Sequence, residues 1–310
     1  MEILCDASLT GWGCWTSSGK EAFGAWSSSE EGLHINVLEC KAVLFGFQCF
    51  FRTTYDCHIS VRSDSSTVVA YINKQGGTVS PQVCDLALEL WEFCIRRRLV
   101  IQASHLSGTS NTRADRLSRM GHSDHSSFLT QFYFDKISER LPFALTVDCF
   151  ASRLNYKISN FISHYCDPLS LWVDAFSVTW TDNVYLFPPF PLVHRVLSKF
   201  ISDKTDHGLL VCPYWPSQPW FPTLLDLLIA PPLLLPPASV VDEHRRLPSC
   251  CQLVGWIIGS NRAKRTRYLG RLGCVGSEVS IGRHSYHTRD AGQGSAIGIT
   301  NGYVVTVELL

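Results

Sequence analysis

Four acidic side chains stand out by where they fall in the apolar pattern. Asp6 closes the apolar pair Leu4-Cys5 and is followed by Ala7-Ser8 and then Gly11-Trp12-Gly13. Asp64 follows Val61-Arg62-Ser63, at the end of a short β-branched run from His58. Glu39 lies in the first two turns of a helical stretch, and Asp115 sits within Asn111-Thr112-Arg113-Ala114-Asp115-Arg116-Leu117-Ser118-Arg119. A carboxylate at a strand end is ordinarily a turn residue, and one early in a helix suits the helix dipole. Four that a single sheet can gather at one edge ask for more. Like charges within a few ångströms oppose one another's ionisation, so such a group calls for a cationic counter-charge. All-oxygen ligation suits Mg²⁺ or Mn²⁺. Two such ions ~4 Å apart can clamp the attacking and leaving oxygens of an in-line phosphoryl displacement.

Those side chains need a scaffold, and residues 1–125 carry the pattern of one. Leu4-Cys5 reads as the end of a buried strand, with Gly11 and Gly13 as the reversal into a second and Glu21-Ala22-Phe23-Gly24-Ala25-Trp26 as a third. Over residues 36–52 the apolar positions Val37, Leu38, Ala42, Val43, Phe45, Phe47 and Phe50 predict a helix with a broad buried face. Residues 58–62 predict a strand and 65–72 a helix. Ser80 as N-cap with Pro81 at the first helical position opens a helix to residue 98. A last strand over 99–104 and a helix over 111–118 complete the order βββ-α-β-α-α-β-α. If the strands ending at Asp6 and Asp64 are parallel neighbours, both carboxylates emerge at the sheet edge where open α/β sheets bind ligands. Asn36 and Ser65 read either as helix caps or as contacts to a ribose hydroxyl. Arg96-Arg97-Arg98 is suited either to a helix C-terminus or to phosphate contacts.

In order and spacing, Asp6-Ala7-Ser8, Leu38-Glu39, Ser63-Asp64-Ser65, the run Val69-Ala70-Tyr71-Ile72-Asn73-Lys74-Gln75-Gly76-Gly77-Thr78 and His105-x-x-Gly108-x-x-Asn111-x-x-Ala114-Asp115 span nearly all of residues 1–120. This stretch resembles a type 1 ribonuclease H domain. More narrowly, it resembles the one fused to reverse transcriptase in DIRS-type tyrosine-recombinase retroelements. The resemblance implies an α/β fold, a five-stranded mixed sheet with flanking helices. It implies Asp6, Glu39, Asp64 and Asp115 as metal-binding carboxylates for two Mg²⁺ (or Mn²⁺) ions, with His105 helping water delivery or product release. The implied activity is hydrolysis of the RNA strand of an RNA–DNA hybrid, leaving a 3′-hydroxyl and a 5′-phosphate. The hybrid is the implied partner, with a reverse transcriptase module in cis or in trans.

A polar, serine-rich stretch follows, and residues 126–140 read as a linker. Residues 141–240 then alternate strand and helix patterns, which suggests a second, smaller α/β domain. Asp148-x-x-Ala151-x-x-x-Asn155, Asp174-Ala175-Phe176-x-x-x-Trp180 and Phe187-Pro188-Pro189-Phe190 resemble the methyltransferase-like region of the same retroelements, which is similar to phage N6-adenine methyltransferases. The active pattern has Asn or Asp ahead of Pro-Pro-aromatic, where it accepts hydrogen bonds from the adenine amine. Phe187 accepts none, so this domain reads as a degenerate scaffold, with Phe190, Trp215 and Trp220 read as core aromatics rather than as contacts to nucleic acid.

Composition bounds the rest. The 310 residues carry a formal net charge of zero, which argues against a broad basic surface and makes any nucleic-acid contact local. The 13 cysteines lack zinc spacing and follow no signal peptide, so they read as reduced thiols of the cytoplasm or nucleus. Residues 224–235 are apolar but too short to span a bilayer and contain Pro231-Pro232. Met1 stands so close to Asp6 that upstream sequence is expected to be missing. Residues 241–310, rich in Gly, Ser and His toward the end, read as a loosely structured tail. Two alternatives stand beside the nuclease: a retroelement remnant that binds nucleic acid without turnover, and a DNA N6-adenine methyltransferase, which Phe187 opposes.

Overall fold

The computed structural model describes residues 1–77, 79–120, 127–181, 183–241, 252–270, 296–300, 303–306 and 308–310. They form two units: Met1–His125 with His164–Val173, and Ser126–Ser163 with Asp174–Leu310. In the first, β1 (Glu2–Ala7), β2 (Gly11–Thr16), β3 (Glu21–Ala25), β4 (His58–Ser63) and β5 (Val100–His105) make one mixed sheet in the order β3-β2-β1-β4-β5. β1, β4 and β5 run parallel, and β2 and β3 extend the sheet as an antiparallel meander. Helices α1 (Ile35–Phe50), α2 (Ser66–Asn73), α3 (Pro81–Arg96) and α4 (Thr112–Met120) flank it.

The helix starts follow from side-chain caps. Ser65 Oγ accepts from the Val68 N–H and Ser80 Oγ from the Val83 N–H, with Pro81 at the first helical position. The cap of α1 is His34, whose Nδ1 accepts from the Asn36 N–H. Asn36 therefore lies inside α1 and is not its cap. The C-terminus of α2 is held to β5 by a two-way bond, Asn73 Nδ2 to Ala103 O at 2.8 Å and the Ala103 N–H to Asn73 Oδ1 at 2.9 Å. All three arginines of the basic run have internal partners: Arg96 with Glu92, Arg97 over the Phe93 ring and on the Arg52 carbonyl, Arg98 with Asp56.

Gly11 and Gly13 are not the turn between β1 and β2. That turn is Ser8-Leu9-Thr10, closed by the Ser8 N–H to Gly11 O and by Ser8 Oγ accepting from the Thr10 and Gly11 N–H groups. Both glycines lie within β2, where α4 comes against the strand. A Cβ on Gly13 would stand 2.4 Å from Ser118 N and 2.7 Å from Ala114 O, and one on Gly11 2.7 Å from Ser118 O. The next residue, Cys14, points the other way and donates to Ala42 O of α1. Two helices thus cover opposite faces of β2, and the glycines set how closely α4 can approach.

Residues 164–173, which the strand–helix pattern places in the second domain, pack on the first unit. Arg52 donates to the carbonyls of Pro168 and Ser170, Cys166 Sγ lies 3.6 Å from Cys49 O, and Tyr165 meets Phe23 with ring centroids 5.2 Å apart.

The second unit has a six-stranded sheet in the order Glu308–Leu309, Leu233–Leu234, Leu253–Gly259, His207–Pro213, Val184–Leu186, Val147–Asp148. The last three are parallel, and Leu253–Gly259 is antiparallel to His207–Pro213 along its whole length. This corrects the reading of 241–310 as a loose tail, because Leu253–Gly259 is buried at every position and sits inside the sheet. Residues 242–251 and 271–295, also assigned to that tail, lie outside the described residues. The reading of 126–140 as a linker is corrected too. Gln131–Arg140 is a helix (α5) that buries Phe134 and Ile137, with Phe134 edge-on to Tyr185 at 5.0 Å. Among the described residues ten cysteines are free thiols, and no helix is long and apolar enough to cross a membrane.

Candidate active site

The parallel register of β1 and β4 builds the site. Leu4 pairs with Arg62, and two residues further along each strand stand Asp6 and Asp64. Glu39, in the second turn of α1, meets them from above the sheet, and the Ala7 N–H donates to its carboxylate. The ligand oxygens of Asp6, Glu39 and Asp64 all lie within 4.8 Å of one another. Asp6 and Glu39 are buried, and Asp64 is half-buried.

Asp115 is not part of that trio. It lies in the first turn of α4, and its Oδ1 accepts from Arg119 Nη2 at 2.6 Å and Nε at 3.0 Å. It is near enough to Asp6 to raise that group's pKa. His105, the last residue of β5, is exposed, and its Nε2 is 3.0 Å from the Asp64 carbonyl oxygen. The loop it opens is shaped around Asp64: a Cβ on Gly108 would stand 3.0 Å from Asp64 Oδ2. Asn111 then ties the start of α4 to β1 by donating to the Cys5 carbonyl at 2.9 Å, next door to Asp6. The motif His105-x-x-Gly108-x-x-Asn111-x-x-Ala114-Asp115 therefore has a physical content. Its residues fit around one carboxylate and fix the helix that reaches another.

Two residues without a sequence-derived role join the site. Ser118 Oγ donates to Asp6 Oδ2 at 2.7 Å, and Ser8 Oγ is 2.8 Å from the Ser118 carbonyl. Arg119 is the second. Its spacing of four from Asp115 on a helix was the available signal, as was the spacing of three that brings Ser118 to the same face.

The electrostatics are those of carboxylates crowded together without a counter-charge. Burial, then the charges of Asp6 and Asp64, push the Glu39 carboxyl up to about 9, against the pull of the Ala7 N–H. Burial also pushes Asp6 up to about 6; the Ser118 bond and Arg119 oppose this, while Asp64 and Asp115 add to it. Glu39 Oε2 is buried with no hydrogen-bond partner. A buried carboxylate oxygen without a donor is costly, and a cation would satisfy it. The donor set fits Mg²⁺ or Mn²⁺: oxygens only, converging, with net negative charge.

Neither a protein-family model nor a curated protein matches the chain. Solved structures do. LC11-RNase H1, crystallised in complex with an RNA/DNA hybrid, is 21% identical over 37% of this chain and 91% of its own, with a TM-score of 0.32. RNase H1 from the halophilic archaeon Halobacterium salinarum NRC-1 is 19% identical over 40% of this chain and 97% of its own, at 0.33. The N-terminal RNase H domain of Rv2228c from Mycobacterium tuberculosis is 18% identical over 39% and 92%, at 0.32.

Proposed function

We propose that the first unit is a divalent-metal-dependent ribonuclease H that hydrolyses the RNA strand of an RNA–DNA hybrid. The observation that carries this reading is the trio Asp6, Glu39 and Asp64, with ligand oxygens within 4.8 Å and a buried, unpartnered Glu39 oxygen among them. These three residues would hold the cation, and Asp115 is the candidate for a second. When bound, a divalent cation supplies a water of lowered pKa and neutralises charge on the phosphate. The chain's own residues do the rest. Ser118 orients Asp6, His105 and Gly108 frame Asp64, and the Ala7 N–H fixes Glu39. Attack of a water oxygen on phosphorus forms one P–O bond and breaks the bond to the 3′-oxygen. The products are a 3′-hydroxyl and a 5′-phosphate. No side-chain nucleophile is involved.

The motif resemblance supports a finer reading, that the chain is part of a retroelement polyprotein whose reverse transcriptase module helps hold the hybrid. For the second unit the burial of Phe187 favours a scaffold over a methyltransferase. Phe187 is 9% exposed and faces Phe190 with ring centroids 6.3 Å apart, so the position that would need an acceptor is filled with carbon. The Asp115–Arg119 pair, which engages one of the carboxylates expected to bind metal, favours a binding remnant without turnover. The test is cleavage of an end-labelled hybrid in Mg²⁺ against EDTA. Cleavage that is lost in EDTA and in Asp64→Asn supports the nuclease, and binding of the hybrid with no cleavage by the unmodified chain supports the remnant.

A further inference from the structure

The role of Arg119 rests on the nuclease reading and goes beyond it. Among the described residues whose charges act on Asp6, Arg119 is the positive one. The other two arginines of α4 are engaged on β3 and β2: Arg113 with Glu21 at 2.6 Å and over the Trp15 ring at 4.6 Å, Arg116 with Glu21 at 3.8 Å. Arg119 differs in its partner and its exposure. Its Nε and Nη2 both donate to Oδ1 of Asp115, and the side chains of the pair are 66% and 45% exposed. An exposed i,i+4 ion pair is held weakly and exchanges readily. Asp115 in turn is a ligand candidate whose negative charge is already answered by Arg119. A cation and the guanidinium thus compete for one carboxylate at the rim of the site. A guanidinium freed there is the group best shaped to take two oxygens of a phosphate.

We propose that Arg119 is a positioning residue with two alternative partners: Asp115 while the site is empty, and the non-bridging oxygens of a phosphate in the bound strand once Asp115 turns to a cation. The exchange makes cation and substrate binding cooperative. The cation releases the arginine, and the phosphate keeps it from returning.

The experiment measures Mg²⁺ binding by calorimetry without substrate, and hybrid cleavage at saturating Mg²⁺, for the full chain and for Arg119→Ala, Arg119→Lys, Asp115→Asn and the Arg119→Ala/Asp115→Asn double variant. Arg119→Ala is expected to tighten Mg²⁺ binding several-fold, since Asp115 loses its competitor. It is expected to raise the KM for hybrid on the order of tenfold, as loss of a charge-assisted phosphate contact does, with a smaller effect on kcat. Arg119→Lys should fall between, keeping the charge but not the fork. In the Asp115→Asn background Arg119→Ala should no longer change Mg²⁺ affinity. Unchanged Mg²⁺ affinity in Arg119→Ala overturns the proposal, as does an affinity gain that persists in the Asp115→Asn background or a KM that does not move. Should the unmodified chain fail to cleave, the nuclease reading fails on its own. The calorimetric comparison still reads the competition for Asp115.

Discussion

Replacing Glu39 by Gln keeps the shape of the protonated acid and removes its titration. Glu39 has an ordinary value of 4.5 and is pushed up to about 9 in the fold. Its folded pKa is raised, so the folded chain keeps a proton that the unfolded chain releases. The contribution of this carboxyl to stability is complete below pH ~4.5 and declines as pH rises toward ~9, by about 1.4 kcal/mol per pH unit. At pH ~7.5, three units above the unfolded value, the metal-free protein carries a penalty on the order of 4 kcal/mol. Glu39→Gln should therefore stabilise the first unit by about that amount at pH ~7.5 in EDTA, and by nearly nothing at pH ~4.5. Because a chain of two units need not unfold in one step, the readout is denaturant-dependent hydrogen exchange of peptides from β1 and β4. Added Mg²⁺ should recover much of the difference in the unmodified chain and do little for the variant. A Glu39→Gln protein that is equal to or less stable than the parent at pH ~7.5, or a difference that does not grow with pH, would refute the reasoning.

Three further outcomes follow from the packing. Gly13→Ala sets a methyl against backbone atoms of α4, with Ser118 N at 2.4 Å. The helix must move, so a loss of about 2 kcal/mol or more and a marked drop in hybrid cleavage are expected from urea melts and the labelled-hybrid assay. Ser118→Ala removes the donor to Asp6 Oδ2. Asp6 then moves further above about 6, and in the metal-free protein its titration, followed by carboxyl NMR, should shift to higher pH. An unchanged midpoint would count against the bond. Arg52→Ala frees the carbonyls of Pro168 and Ser170. Limited proteolysis should then cut within 164–173 faster, with hybrid cleavage unaffected.

What was legible in the sequence was what local chemistry writes there. Strand ends at Asp6 and Asp64 show as apolar runs stopped by a carboxylate, and Ser80-Pro81 announces α3 because a serine cap followed by proline at the first helical position suits a helix start. Positions set by distant partners were not legible. A glycine says that a Cβ is excluded but not by what, so Gly11 and Gly13 read as a turn when the obstruction is α4. The α5 helix hides behind Gln131, Asp135, Lys136, Glu139 and Arg140, since only Phe134 and Ile137 are buried, with Tyr133 packed partly on the same core. Leu253–Gly259 was masked by its two glycines and by the polar sequence around it. Of the candidate site, the meeting of Asp6 and Asp64 could be expected if β1 and β4 are parallel neighbours, while Glu39, on α1, was expected only from the family resemblance. The diversion of Asp115 to Arg119 could not be expected, because spacing on a helix permits a pair without requiring it.

The most direct measurement is calorimetric titration of Mg²⁺ into the full chain at pH ~7.5, repeated in buffers of different ionisation heat to count protons released. Because Glu39 is protonated at that pH and must ionise to accept a cation, the account predicts binding with release of close to one proton per site. Both binding and release should be lost in Asp64→Asn. Binding that survives in Asp64→Asn, or that releases no proton, would contradict a cation site shared by Asp6, Glu39 and Asp64.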